Sequence, residues 1–590
     1  MRATSVDIQR QDTLQQPERP GERPIPQQPL DLLPSPCTTD NSSQQGSVGD
    51  IFGRDSFIAT DSVLSYDFLR RPSGSATLAS SKAEPPAEPS ASSEDLGLNS
   101  QDQQRSTLGI SSCHEKTSVQ SWQSVEAVLR SLPTSLPLKE PLHRALFDAF
   151  HQHVYTTYPI VGAEELLDPD RNMMPTVLRS AICLGGSLMR RISSTEELRL
   201  SYSLYREVKR LISLQEDGDE EDHVALLKAI CLMSCWSLRP PYVVSLGGPW
   251  HWTGLAIRLA IQMGLHREET YCGLRDGESL RRAWWHLVMS DGIQAACWGR
   301  PLMIRSIDMD VLLPTVDSSS GEFKLRNFVY SVHLAQIVRR VIEFDVQDLS
   351  PIVAMLHNWT ESLPVDLVLY DSNGQRRPYC KLTNQLYIMY FVAIIFTIFR
   401  CRPSDNRSRA TLLTVVASSC MIRLFEELYH HEQISQLLPI NGFFLMLAAI
   451  PQIYYHPQTQ AKERLREEEL SVIRTILAQL RIKYGGCDMV LRKICRLQDE
   501  ELQGRPSKSL LFDDRQVLET CGELPFLSAS RKLFPFPAET FPNLDLLGEE
   551  VLSSHEIDLS DLFPVEGSLE EWSFNDPKLW IDVDGFDWPR

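Results

Sequence analysis

The sequence predicts an all-α protein. Apolar residues recur at helical spacing from Trp122 to about Arg496, and few runs alternate in the way strands require. Proline and glycine punctuate the stretches between. A chain of 590 residues exceeds what one ordinary core organises, so a multi-helix block with flanking segments of different character is expected. Composition divides it into an arm over 1–117, a helical block over 118–513 and an acidic tail over 514–590.

The arm is rich in Ser, Gln, Pro and Asp and has little periodicity, so it buries too little surface to offset its ordering entropy and is expected to be disordered. Within it, Asp50 to Arg70 sets Ile51, Phe52, Phe57, Leu64 and Phe68 among acids. That stretch is open to transient docking on a partner and equally to no role.

The block begins with a helix over Leu142 to Tyr155 that places Leu142, Leu146, Phe147, Phe150 and Val154 on one face and ends before Tyr158 and Pro159. Leu386 to Phe399 is apolar all round, yet shorter than the roughly 18 residues a membrane span needs, and reads as a buried central helix. Phe443 to Ile450 reads the same way, with a break at Pro451.

Two helices in between hold the most informative residues. One follows Gly247-Gly248-Pro249, carries Trp252, Leu255, Leu259 and Met263, and stops at Gly264, as a C-terminal glycine dictates. The next can be capped by Ser279, presents Leu280, Ala283, Trp284, Leu287 and Val288, and ends near Gly299. Periodicity assigns Trp284 and Trp285 to packing in preference to a ligand box. Asp291 falls on the apolar stripe, where burial costs several kcal/mol unless the charge is paired. Arg300 is the expected partner.

Charge and cysteine usage limit the function. Lys plus Arg is 58 against 77 for Asp plus Glu, a formal charge of −19, which repels phosphate backbones, so unaided DNA binding is not expected. The 13 cysteines are scattered, as suits a reducing compartment and buried thiols. Cys231 and Cys235, at i and i+4 beside Met233 and Trp236, read as a buried pair and not as metal ligands. No secretory signal or membrane-length run is visible, so an intracellular chain without a membrane partner is expected. Asp217, Asp219, Glu220, Glu221 and Asp222 imitate the magnesium motif of an all-α isoprenoid enzyme, a remote alternative. They sit at a loop-like Glu216-Asp217-Gly218 break with no facing second motif. No catalytic, cofactor or metal residue is assigned, and an enzyme is not expected.

The segments PWHWTGLAIRLAIQMGLHRE (Pro249 to Glu268) and LRRAWWHLVMSDGIQAACWGRP (Leu280 to Pro301) resemble the middle homology region of the fungal zinc-cluster transcription factors. The elements that carry the resemblance are Trp252, then Gly264, then Arg281 and Arg282 with Trp284 and Trp285, then Asp291, then Gly299, Arg300 and Pro301, and finally Asp308, Asp310 and Pro314. The wording around Trp250 to Trp252 is most similar to the subgroup that includes the cutinase transcription factors. Two departures stand out. Members of the family usually follow the aspartate of the Trp-Trp helix with arginine, whereas Asp291 is followed by Gly292. The family's DNA reader, a zinc cluster of closely spaced cysteines, has no counterpart: only Cys37 and Cys113 precede Trp122, without near neighbours. No zinc or other cofactor is therefore expected in this chain, and DNA contact would be indirect or through a missing N-terminal segment.

The tail completes the expectation. Beyond Phe541 acids far outnumber the two bases Lys578 and Arg590, and among them stand Leu559, Leu562, Phe563, Trp572, Phe574, Trp580, Phe586 and Trp588. Mutual repulsion of the acids keeps such aromatics available for burial in a coactivator groove, which is how an acidic activation tail works. Together with the resemblance this implies a nuclear transcription regulator, a pathway-specific activator of catabolic or secondary-metabolite genes, working as a homo- or heterodimer. The alternative is a coregulator that reaches DNA only through a zinc-cluster partner.

Overall fold

Helix formation follows the local chemistry closely enough for the order of elements to be argued from sequence. The computed structural model describes residues 122–131, 138–162, 165–166, 174–214, 222–241, 243–272, 274, 276–314, 323–344, 350–400, 411–457, 459–504, 531–537 and 541–547. Among them are fourteen α-helices and, in place of strands, one isolated bridge between Tyr370 and Arg376. In chain order they are α1 (Trp122–Arg130), α2 (Glu140–His153), α3 (Thr176–Leu188), α4 (Arg199–Leu214), α5 (His223–Met233), α6 (Pro249–Gln262), α7 (Gly277–Trp298), α8 (Phe323–Glu343), α9 (Ser350–Glu361), α10 (Lys381–Arg400), α11 (Leu412–His430), α12 (Ile440–Tyr454), α13 (Gln460–Leu480) and α14 (Gly485–Gly504). The all-α expectation holds.

The chain builds a helical stack in which successive elements pack on one another. α2 lies on α3, which meets α4 and α5; α5 leads through α6 to α7, and α7 to α8. The centre is α10, packed against α8, α9, α11 and α12. It is long and apolar enough to cross a membrane, yet 83% of its apolar window is buried within the protein, so it is a core helix, as expected for Leu386 to Phe399. α12 then carries α13 and α14.

Several local expectations need correction. α2 starts at Glu140, and Leu142 is 39% exposed while Leu146, Phe147 and Phe150 face the core. Ser279 does not cap α7: the helix starts at Gly277, because the Leu280 amide already donates to the Asp276 carbonyl (3.0 Å), and the Ser279 hydroxyl donates to that same carbonyl (3.2 Å). Pro451 lies inside α12 and does not end it. Tertiary bonds brace that turn, with Ser418 donating to the Ala448 carbonyl (2.6 Å) and the Gln452 amide donating to Ser418 Oγ (3.2 Å). Gly264 and Gly299 do stop α6 and α7, with φ of 77° and 59°, values that L side chains rarely adopt.

The largest difference concerns the start of the tail. Residues 531–537 and 541–547 pack on the helical block: Leu533, Phe534, Phe536, Phe541 and Leu544 are all buried in its core. Tyr390 of α10 donates its hydroxyl to the Leu533 carbonyl (2.8 Å), Phe391 stacks on Phe534, and Lys462 of α13 donates to the Pro542 carbonyl (2.8 Å). Proline recurrence here marks a clasp with two 3-10 turns whose aromatics pack on Tyr370 and on Tyr387 and Phe391 of α10, so these residues belong to the block and not to a separate unit. The arm, the rest of the tail and its contacts Leu559, Leu562, Phe563, Trp572, Phe574, Trp580, Phe586 and Trp588 lie outside the described residues.

Candidate functional site

The family-like residues divide between a bracket and a cavity. In the bracket, Arg281 on α7 forms a two-pronged ion pair with Glu268 (2.6 and 2.7 Å), and its guanidinium lies 4.5 Å from the Tyr271 ring centroid. The Arg281 hydrogen bonds hold the Glu268 carboxyl below the usual carboxylate range. The same carboxylate accepts from the Leu312 amide (2.8 Å), while the Leu312 carbonyl accepts from the Trp285 indole (2.8 Å). Asp310 accepts from the Glu268 amide (2.8 Å), and Asp308 closes a local pair with Arg305. The segment from Arg305 to Pro314 is thus pinned to α7. Arg282 points the other way, donating to the Pro159 carbonyl (2.7 Å), and Trp284 is fully buried. Trp252 donates to the Tyr205 hydroxyl (3.2 Å), which donates in turn to the Gly247 carbonyl (2.8 Å). These are architectural roles.

Asp291 is buried as expected, but its partner is not Arg300. It accepts from the backbone amides of Met303 (3.0 Å) and Ile304 (3.0 Å), and the nearest cation is Arg339 of α8, at 3.5 Å. The reason sits at Gly292. A Cβ there would lie 2.4 Å from Cγ of Arg339, so the missing side chain is what admits the Arg339 stem. The cation that meets Asp291 thus comes from the next helix, α8. Burial pushes the Asp291 carboxyl up and the Arg339 guanidinium down, while the pairing opposes both shifts.

Among the described residues no cluster of His, Cys, Asp and Glu side chains is placed to hold a metal ion. Cys231 and Cys235 are buried, and burial pushes both thiols up to about 12. Asp222 caps α5 by accepting from the Ala225 amide (2.9 Å), and the rest of that acidic run lies outside the described residues. Among the described cysteines, alkylation of the native chain at neutral pH is expected to modify exposed Cys272 first and to leave Cys231 and Cys235 unmodified until the chain unfolds, as peptide mass mapping would read. Early labelling of either buried thiol would contradict this packing.

The cavity encloses about 590 Å³. Its walls are His286, Met289 and Ile293 of α7, Asn327 and Phe328 of α8, Leu386 and Met389 of α10, Ile440 and Phe444 at the start of α12, and Met489 and Val490 of α14. Tyr158 lies over the His286 ring (4.2 Å) and shares a hydrogen bond with Ser234 (3.3 Å). Desolvation lowers the His286 pKa to about 4, so its imidazole stays neutral at physiological pH. Exposed Val244 and Leu246 stand at the rim. Arg300 enters from the family-like segment: it donates to the Pro241 carbonyl (3.0 Å), and its guanidinium lies 4.5 Å from the Trp250 ring and 5.3 Å from the Trp298 ring. Pro301 follows it on the lining.

Residues 147–434 match the family model of the fungal specific transcription factor domain. Over these residues, just under half of the chain, the block is similar to that domain. Similar relatives of the domain include "Cutinase transcription factor 1 beta" of Fusarium vanettenii, 25% identical over 245 residues that make up 37% of this chain and 26% of the relative. The "Acetamidase regulatory protein" of Aspergillus oryzae is 28% identical over 346 residues, 55% of this chain and 44% of the relative. Its namesake in Aspergillus fumigatus is 29% identical over 216 residues, 35% and 27% respectively. The matches therefore span less than half of the length of these relatives. Their names are those of transcription regulators and not of enzymes. No solved structure gives a significant match.

Within the domain, the residues read from sequence fall mainly in the bracket, and of them Trp298's neighbours Gly299, Arg300 and Pro301 also line the cavity. The cavity itself was not read from sequence. Its walls come from six separated helical segments, each of which spells only core, and the walls contributed by α12 and α14 lie beyond the matched residues. The one usable signal was Arg300, a cation two residues after Trp298 at the end of an apolar helix.

Proposed function

We propose that this protein is a nuclear transcription regulator, a pathway-specific activator in which the helical domain carries an acidic activating tail. The domain match over 147–434, with its bracket intact around Arg281, Glu268 and Trp285, supports the reading most directly. The names of the relatives, cutinase and acetamidase regulators, favour control of a catabolic or secondary-metabolite gene set. The formal charge of −19 favours a second reading alongside it, recruitment to promoters by a DNA-binding partner in a homo- or heterodimer, with coactivators engaged by the tail.

The test is chromatin occupancy and target transcription for the tagged chain and for a deletion of residues 548–590. The deletion starts there because Phe541 and Leu544 are part of the folded core. Promoter peaks with both chains, and transcripts only with the full one, are the expected result; a complete absence of peaks would refute the regulator reading. Alanine at Trp572, Phe574, Trp580, Phe586 and Trp588 is expected to abolish reporter output from the tail fused to a heterologous DNA-binding domain. Undiminished output would remove the activation role.

A further inference from the structure

We propose that the cavity of the helical domain binds an apolar monocarboxylate, with the carboxylate held by Arg300 and the hydrocarbon body lying along Met289, Leu386, Met389 and Phe444. The size, about 590 Å³, lies within the range of small-molecule sites, and most of the lining surface is apolar, with neutral Ser, Thr, Asn and Gln side chains set among the aliphatic and aromatic ones.

The sign of the ligand follows from charge. No Asp, Glu or Lys is among the described residues that line the cavity; the two full charges are Arg239 and Arg300. Arg239 is committed to Glu126, which takes bonds from its Nε (3.0 Å) and Nη2 (2.8 Å). Arg300 is not: among the described residues only the Pro241 carbonyl accepts from it, and no carboxylate lies within ion-pair reach. A guanidinium taken partly out of water is costly without an anion, and its planar fork matches a carboxylate with two parallel bonds. Trp250 and Trp298 hold the fork in place. Two helix starts add to the positive potential, since Gly248 and Pro249 of α6 and Pro439 and Ile440 of α12 also line the cavity. One free guanidinium in an apolar chamber suits a single negative charge; a polyanion such as a nucleotide would leave charge unpaired against Phe444 and Met389.

Occupancy also has a route to the rest of the molecule. Leu386 and Met389 face the cavity from α10, while Tyr390 and Phe391 of the same helix hold the clasp at Leu533 and Phe534. That consequence rests on the regulator reading; the binding itself does not.

The experiment uses the purified full chain and three probes of equal chain length, decanoate, decan-1-ol and decan-1-amine, with intrinsic tryptophan fluorescence and thermal shift as readouts. Decanoate is expected to bind at least about tenfold more tightly than the alcohol, with the amine weakest, because a hydrogen-bonded charge pair is worth more than a neutral contact. Arg300→Met is expected to weaken decanoate by roughly 10- to 100-fold, to the level of the alcohol. Gln385→Trp, which fills the lumen from α10, is expected to abolish binding of both. A wild-type chain that melts cooperatively yet binds none of the probes overturns the proposal. So does equal affinity for acid and alcohol, or an Arg300→Met chain that keeps the preference for the acid. The ranking of probes on the wild-type chain needs no variant, so a poorly folding Arg300→Met chain leaves the test intact. Since the readout is binding, failure here is distinct from failure of the chromatin test.

Discussion

Replacing Arg339 by methionine is expected to lower the stability of the helical domain by about 3–5 kcal/mol, read as a shift of the urea midpoint at constant slope. Asp291 and Arg339 are 2% and 1% exposed, so neither charge falls back on water when the other is removed. The variant keeps the aliphatic stem against Gly292 but strands Asp291, and it strips donors from the buried carbonyls of Ile304 (2.6 Å) and Val288 (3.3 Å). Adding Asp291→Asn to the methionine variant is expected to recover part of the loss, because a neutral amide is cheaper to bury than a lone carboxylate. Gly292→Ala probes the same contact from the opposite side. In an ordinary helix interior alanine gains roughly 1 kcal/mol over glycine. Here its Cβ would meet Arg339 Cγ at 2.4 Å, so a loss of about 1–3 kcal/mol is expected, and an Arg339→Ala background should return the usual gain. Independent effects of the two substitutions would sink the claim that Gly292 exists to admit Arg339.

The behaviour of this pair shows what the sequence could and could not convey. That Asp291 would be buried was legible from its place on the apolar stripe of α7. Which cation would meet it was not, because sequence proximity favoured Arg300, while the geometry is decided by a side chain 48 residues away and by the absence of one at Gly292. The helices around Gly264 and Gly299 were legible because their stop signals are local. The passage of α12 through Pro451 was not, because bonds from Ser418 on another helix support it. The clasp misled for a related reason. Its prolines and acids read as tail, whereas Phe534, Phe536 and Phe541 find their places only once Tyr370 is brought beside Tyr387 and Phe391 of α10. The bracket residues were singled out by resemblance alone, and their roles as bonds to Leu312 and Glu268 became visible only in three dimensions. The cavity depends on what six helices leave unfilled, and a void has no residue to announce it.

Glu469 supplies the second large effect, with a sign set by pH. It lies on α13, 1% exposed, where the Ser419 hydroxyl donates to Oε1 and no described group satisfies Oε2. Asn543 of the clasp donates to that same Ser419 (3.1 Å), so the carboxyl sits behind the contact that fastens the clasp to α11. Burial pushes the Glu469 carboxyl up to about 7; the Ser419 bond, Arg423 and Lys462 pull it down, and Glu426 adds to the rise. A carboxyl raised in the folded state binds its proton more tightly there than in the unfolded chain. Its contribution to stability is therefore fully present below about pH 4.5, the ordinary value, and is lost as pH rises through about 7. Over that window the change amounts to about 3 kcal/mol, at roughly 1.4 kcal/mol for each pH unit between the two values. Glu469→Gln keeps the shape and the bond from Ser419 but removes the ionisation. The variant is expected to be more stable than wild type by about 2–3 kcal/mol at about pH 8.5, and near parity at about pH 4.5. Urea midpoints of both chains across that range decide the matter: an advantage that does not grow with pH would mean that Glu469 is not the group whose ionisation strains the clasp.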